Sequence, residues 1–276
     1  MRRDRSRLQV MVNGLISLGF WSIVGVTVGI LFYILARGAA GISIEFLTQM
    51  PRNRGIEGGI YPAIVGTLWL TVGTALVSVP VGVLSAIYLT EYARQGLVVR
   101  LINLAVVNLA GVPSVVFGLF GLALFVLFLG LGSSLASASL TLGLMTLPVV
   151  VTAVREALLS VPKSYREAAY ALGATRRQTI ITHVLPYAKP GMTAGALLGL
   201  SRAMGETAPI LVTGVAVVLP RLPSGFGSRF MALPYHLYIA ATQVPGMPKE
   251  RIWATALTLM FMVLVLNAVA GLLRDR

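Results

Sequence analysis

VPKSYREAAYALGATRRQTIITHVLPYAKPGMTAGALLGLSRAMGETAP, residues Val161 to Pro209, is the stretch on which the fold turns. It begins as a charged, soluble-looking helical segment from Pro162 to Gly173. It passes through a basic turn to Leu185-Pro186 and ends in an apolar helix that carries Arg202 and Glu206. Long hydrophobic runs flank it. The first half is therefore a charged island between membrane spans, and the second half places a charge pair inside a span. Such an island needs a partner outside the membrane, and an intramembrane charge needs one within it.

The 276 residues are 57% hydrophobic and 11% charged, whereas a soluble globular domain has roughly 25% charged residues. This is the composition of a polytopic membrane protein. Spans of about 20 residues predict an all-α chain of six transmembrane helices: Asn13–Ala36, Pro62–Thr90 interrupted by Pro80, Leu101–Leu131 with Pro113 near its middle, Ser139–Val154 with Pro148, Pro190–Val218 with Pro209, and Ile252–Leu273. The first apolar run is longer than the about 7–15 residues of a signal-peptide core and is read as a spanning helix. The internal prolines read either as ordinary membrane-helix irregularity or as hinges of a bundle that flexes. The apolar patch Ile42 to Leu47 is too short to span, and Glu91 to Arg100 is read as a short charged loop. Two distant histidines, His183 and His236, and no cysteine argue against a metal site and exclude disulfides. His236 is read as a surface polar residue.

An N-terminus in the cytoplasm places Arg2, Arg3, Arg5, Arg7, Arg94, Arg100, Arg155, Lys163, Arg166, Arg176, Arg177, Lys189, Arg274 and Arg276 inside. Arg37, Arg52, Arg54, Arg221, Arg229, Lys249 and Arg251 then fall outside. This two-to-one bias follows the positive-inside rule and predicts both termini, and the charged island, on the cytoplasmic side. It also explains much of the net charge of +13 without nucleic acid; an anionic substrate would be a second reason.

Within the island, Ser164 and Glu167 stand at the spacing of a capping box. Tyr165, Ala168, Ala169 and Leu172 recur at helical spacing. Gly173 sits where a left-handed glycine closes a helix. Thr175 to Gln178 then starts a second helix, predicted to end near Leu185, before Pro186. Two readings stand: a solvated loop helix whose apolar face packs on its own bundle, or a docking helix for a soluble partner. Glu167-Ala168-Ala169, Gly173 and Leu185-Pro186 are spaced as in the EAA motif of ABC importer permeases, and the segment resembles it; His183 stands where that motif usually has isoleucine. The resemblance implies a type I ABC importer permease architecture. In it, Ser164, Glu167, Ala168, Ala169, Leu172, Gly173, Leu185 and Pro186 form the cytoplasmic coupling helix and its return, docking on an ATPase subunit. The chain has no Gly-x-x-x-x-Gly-Lys-Ser/Thr loop, so ATP and magnesium are expected on that partner, with no cofactor and no enzyme activity here.

Gly195, Gly199, Arg202, Glu206, Pro209 and Thr213 fall at steps of three or four, which predicts one small and charged face. Arg202 with Glu206 is either a self-neutralising pair that locks two helices or a weak anion site. In the second case the planar guanidinium matches a phosphate or carboxylate, and Glu206 limits how tightly the anion is held. The run Arg202 to Pro209, together with Gly58 to Leu68 and Ala110 to Gly121, resembles PstA-type permeases of phosphate ABC importers; Ala208-Pro209 separates it from the PstC-type. That resemblance implies a substrate path at Arg202, Glu206 and Thr207. Many members carry an Arg-Thr-Thr-Glu run where this chain has Thr152 to Arg155, so Arg155 is either a second path residue or a positive-inside anchor. The implied assembly contains a second, PstC-type permease, a PstB-type ATPase dimer and an extracytoplasmic phosphate-binding protein. It would sit in a bacterial or archaeal cell membrane. The expected organisation is a basic segment and first helix over 1–36, an extracytoplasmic connection over 37–61, and a permease core over 62–276 with its coupling helix at 162–173. Another oxyanion (phosphonate, sulfate, molybdate) remains the alternative cargo, and a secondary carrier or membrane enzyme a different class.

Overall fold

The computed structural model describes residues 2–94, 96–219 and 221–274. Arg276 lies outside the described residues, as do the side chains of Arg2, Arg3, Arg5, Arg7 and Arg54. The described residues are mostly helical, with a short hairpin, Pro51–Arg52 against Glu57–Gly58, and a non-helical connection between Leu211 and Leu233 that carries a single bridge from Val215 to Phe230. The helices are α1 (Arg2–Gly38), α2 (Ile44–Thr48), α3 (Tyr61–Ile87), α4 (Leu97–Ala110), α5 (Ser114–Gly121), α6 (Leu135–Leu159), α7 (Lys163–Ala171), α8 (Arg176–Thr179), α9 (Leu185–Met204), α10 (Ala208–Leu211), α11 (Leu233–Thr242) and α12 (Lys249–Arg274). Three π-helical stretches extend this framework: Tyr88–Tyr92 after α3, Leu122–Phe128 after α5, and Ile180–Val184 between α8 and α9.

Among the described residues, four helices are long and apolar enough to cross a membrane, those at Val12–Gly41, Tyr61–Tyr92, Leu135–Leu159 and Lys249–Arg274, and the bent pair Leu97–Ala110 and Ser114–Phe128 makes a fifth candidate. The central packing of α3, α6 and α9 uses small residues, as helix pairs in lipid do. A side chain on Gly82 would meet Val150, one on Gly143 would meet Val77, and one on Gly195 would meet Ala153. A buried apolar cluster at the α7 end, including Leu89, Val154, Leu158, Val161 and Val184, ties the ends of α3 and α6 to the start of α9. At the opposite end Phe46, Ile60, Met231 and Leu233 form a second cluster. By contrast, from Val12 to Arg37 helix α1 has no buried residue. It touches the bundle at its end, where Gly38 lies against the Trp253 carbonyl and Tyr33 meets Trp253 edge-on.

Several expectations are corrected. The predicted third span is two helices bent by 103°, because Pro113 adopts an extended ψ of 140° as the cap of α5. The predicted fifth span also breaks: α9 ends at Met204 and only the four-residue α10 follows, with Pro209 in its first turn. Proline suits a helix start because its missing amide has no partner to lose there. Pro80 and Pro148, in contrast, lie inside uninterrupted helices, so Pro80 does not interrupt its span. Glu91 is not a loop residue but a buried member of the turn that ends α3. His236 is buried too, 7% exposed.

Candidate functional site

A cavity of about 230 Å³ opens where the two broken spans meet. Residues Gly111 to Ser114 of the α4–α5 break form one wall, Thr146 and Val149 of α6 another, and Gly199, Arg202 and Glu206 a third. Arg202 stands in the last turn of α9, where the helix dipole favours a cation. Its Nε lies 3.9 Å from Glu206 Oε1, and the two side chains are 65% and 20% exposed. At that distance and exposure the pair is loose, and the guanidinium keeps donors for another acceptor. The break at Gly205 to Thr207 explains the geometry, since Glu206 follows the end of α9 instead of sitting one turn along it.

The structure brings Arg202 and Glu206 together on this cavity but not the rest of the predicted path. Thr207 caps α10 without a side-chain hydrogen bond and is not among the lining residues. Thr213, placed on the same face by periodicity, is fully buried and its hydroxyl donates to the Pro209 carbonyl. Arg155 is also absent from the lining. Its guanidinium donates to Asn103 Oδ1 of α4 at 2.9 Å, a partner that spacing alone did not reveal.

The charged island folds as a helix–turn–helix. Pro162 caps α7 with no side-chain bond, so the capping box expected at Ser164 and Glu167 does not form; the helix starts two residues too early for Ser164 to serve as cap. The glycine closure does form. Gly173 has φ +82°, its amide donates to Tyr170 and the next amide, Ala174, to Ala169, a double bond pattern that satisfies the last carbonyls of the helix. A capping box is present one helix later, between Thr175 and Gln178. From Arg176 the chain then stays helical through Leu185-Pro186 into α9, so the helix predicted to stop near Leu185 continues. The π-helical turn Ile180–Val184, which includes the exposed His183, adjoins Pro186.

Only Ala169 of the predicted apolar face is buried. Tyr165 is half-exposed, Ala168 is exposed, and Leu172 is 89% exposed. Beside the buried Ala169 and the packing of Tyr165 on Tyr187, Arg166 ties α7 to the bundle. It donates to Glu91 Oε1 at 2.7 Å, to the Leu158 carbonyl at 3.0 Å and to the Val161 carbonyl at 2.9 Å. The pair is partly buried, 19% and 8% exposed, so removing one partner leaves the other charge poorly compensated. The sequence does not single out Glu91 as a partner of the island; an acid among the arginines and lysines of that end was the available signal.

The model of the binding-protein-dependent transport system inner membrane component matches residues 78–276, a range that holds both the Arg202 cavity and α7. The chain belongs to this family. Among its relatives, phosphate transport system permease protein PstA 1 of Mycobacterium tuberculosis is 40% identical over 217 residues, covering 79% of this chain and 71% of that protein. PstA of Mycobacterium leprae is 38% identical over 244 residues, 87% and 80% of the two chains. PstA of Haemophilus influenzae is 32% identical over 238 residues, 86% and 83%.

Solved structures share the fold. The inward-facing MetNI methionine ABC transporter aligns with TM-score 0.59 at 22% identity, covering 79% of this chain and 94% of that one. A bacterial ABC transporter that imports the acidic polysaccharide alginate aligns with TM-score 0.61 at 16% identity, covering 99% and 98%. As a family member this chain is a multi-pass membrane component of a transport complex, and the expected all-helical type I ABC importer permease architecture is the observed one.

Proposed function

We propose that this chain is the permease subunit of an ATP-driven importer that moves inorganic phosphate into the cytoplasm. The observation that carries the reading is an arginine with open donors on a cavity between two broken spans, in a chain whose relatives are phosphate permeases. A guanidinium fork suits a tetrahedral oxyanion, and Glu206 beside it keeps the anion from binding too tightly to leave. Thr207 and Arg155 belong at the margins of this path, Arg155 nearer the α7 end.

In this reading α7 is the cytoplasmic coupling helix, presenting the outward-facing Leu172 to a PstB-type ATPase dimer that carries ATP and magnesium. Ser164, Glu167, Ala168, Ala169 and Gly173 shape that surface, and Leu185 and Pro186 return it to α9. A PstC-type second permease and an extracytoplasmic phosphate-binding protein complete the complex, with both termini cytoplasmic. Closure of the ATPase pair moves α7, and α6 and α9 follow, switching access to Arg202 from one side to the other. The test is ATPase stimulation of the purified complex by phosphate, sulfate, molybdate and phosphonate, each with its binding protein. Stimulation by phosphate is the expected result; stimulation by another oxyanion alone would reassign the cargo.

A further inference from the structure

Glu91 and Tyr92 are the last residues of the π-helical turn that ends α3, and an arginine of the α7–α8 segment meets each. Arg166 binds Glu91 at 2.7 Å while also holding the Leu158 and Val161 carbonyls at the end of α6. The Arg176 guanidinium lies 5.5 Å from the centroid of the Tyr92 ring. Leu172 is turned outward, while Tyr165 packs on Tyr187 of α9 and Ala169 is buried; beside those contacts the two arginines tie the segment to the end of α3. Both land on α3, although the backbone leads from α7 to α9.

Helix α3 then runs unbroken through Pro80 to Tyr61. Its far end is fixed as firmly. Gly66 leaves no room for a side chain against the Met231 carbonyl, and the buried Thr67 hydroxyl accepts from the Leu233 amide at 2.9 Å. Met231 and Leu233 are themselves fully buried in the cluster at that end. One continuous helix thus joins the two anchored ends.

We propose that Arg166 is a positioning residue for coupling: through Glu91 it transmits movement of α7 to α3, and α3 carries that movement to the Met231–Leu233 segment on the opposite side of the membrane. This second route runs beside the direct chain connection into α9. Because coupling between sites is reciprocal, a substrate-loaded binding protein acting at the far end of α3 would change the seat of α7 on the ATPase. The inference rests on the reading of α7 as the ATPase-facing helix.

The experiment uses the complete complex in proteoliposomes, with Glu91→Gln and Arg166→Lys. Basal ATP hydrolysis, its stimulation by phosphate-loaded binding protein, and phosphate moved per ATP are measured for equal amounts of assembled complex. Both variants are expected to keep basal hydrolysis and to lose stimulation and stoichiometry by at least about five-fold, the low end of allosteric couplings. A variant that lowers only the yield of complex, with wild-type stoichiometry in what assembles, overturns the proposal. If neither variant assembles, hydrogen exchange on the unaltered complex decides. Amides of residues 88–93 are expected to change protection when loaded binding protein is added, and unchanged protection overturns the route. Failure of the wild-type chain to co-purify with any ATPase would instead overturn the reading of α7.

Discussion

Arg166 and Arg202 stand at two helix ends and look alike in the sequence, each with a glutamate close by. Their surroundings differ. Arg166 is 19% exposed and bonds a carboxylate and two carbonyls. Its partner is not the adjacent Glu167 but Glu91, 75 positions away. Arg202 is 65% exposed and has one loose contact at 3.9 Å. A guanidinium whose donors are satisfied inside the protein fixes geometry. One whose donors remain open on a cavity is available to a ligand. In the proposed function this divides one stretch of chain into a part that transmits and a part that binds.

The largest effect is expected at the open arginine. Arg202→Gln should lower phosphate uptake by about ten- to a hundred-fold, the range for losing a charge-assisted hydrogen bond, with normal assembly because so little of the side chain is packed. Arg202→Lys keeps the charge without the fork and should fall between. Wild-type uptake in both variants would erase the distinction between the two arginines.

The next effect tests the transmitting half from outside. Leu172→Glu changes a side chain that the isolated chain leaves 89% exposed, so folding should be unaffected. ATPase association should weaken by about thirty-fold, as for an interface residue contributing about 2 kcal/mol. Retention of the ATPase on an affinity column at wild-type yield would show that the exposed face of α7 docks nothing. Gly173→Val should act more weakly through the backbone. A β-branched residue at φ +82° is strained by about 1–2 kcal/mol, which predicts ATPase association about five- to thirty-fold lower in the same pull-down.

The sequence made the transmitting half more legible than the binding half, for physical reasons. Gly173 announced its own conformation, since only a glycine closes a helix that way without strain. The apolar spacing of α3, α6 and α12 was long enough to identify each helix. The breaks at Pro113 and Gly205 were not legible, because Pro80 and Pro148 have the same local surroundings and stay helical. What separates them is tertiary: α10 packs on α5, with Gly118 against Pro209. Periodicity therefore placed Thr213 on the cavity face when the chain had already turned away. The pairings of Glu91 with Arg166 and of Asn103 with Arg155 were not legible, because the segments involved meet only in the folded bundle.

The smallest effect on transport is expected far from both arginines and probes the anchor of α3 at the Met231–Leu233 end. His236 of α11 is buried beside that cluster, and its pKa is lowered to about 4, first by burial and then by the nearby charge of Arg251. The fold therefore favours neutral imidazole, while an unfolded histidine takes up a proton near pH 6.5. Above that pH both states are neutral and the histidine has no differential effect. As pH falls from about 6.5 toward 4 the unfolded state binds the proton and the folded one does not, so stability drops across that window and levels off below it. Arg251 closes this region by donating to the Gly58 carbonyl, so loosening should extend to the hairpin at Pro51–Gly58. Thermal unfolding of the detergent-purified chain at pH 7.5, 6 and 5 should show a falling midpoint that His236→Leu flattens. An equal fall in both proteins would locate the pH sensitivity elsewhere and leave the α3 anchor independent of His236.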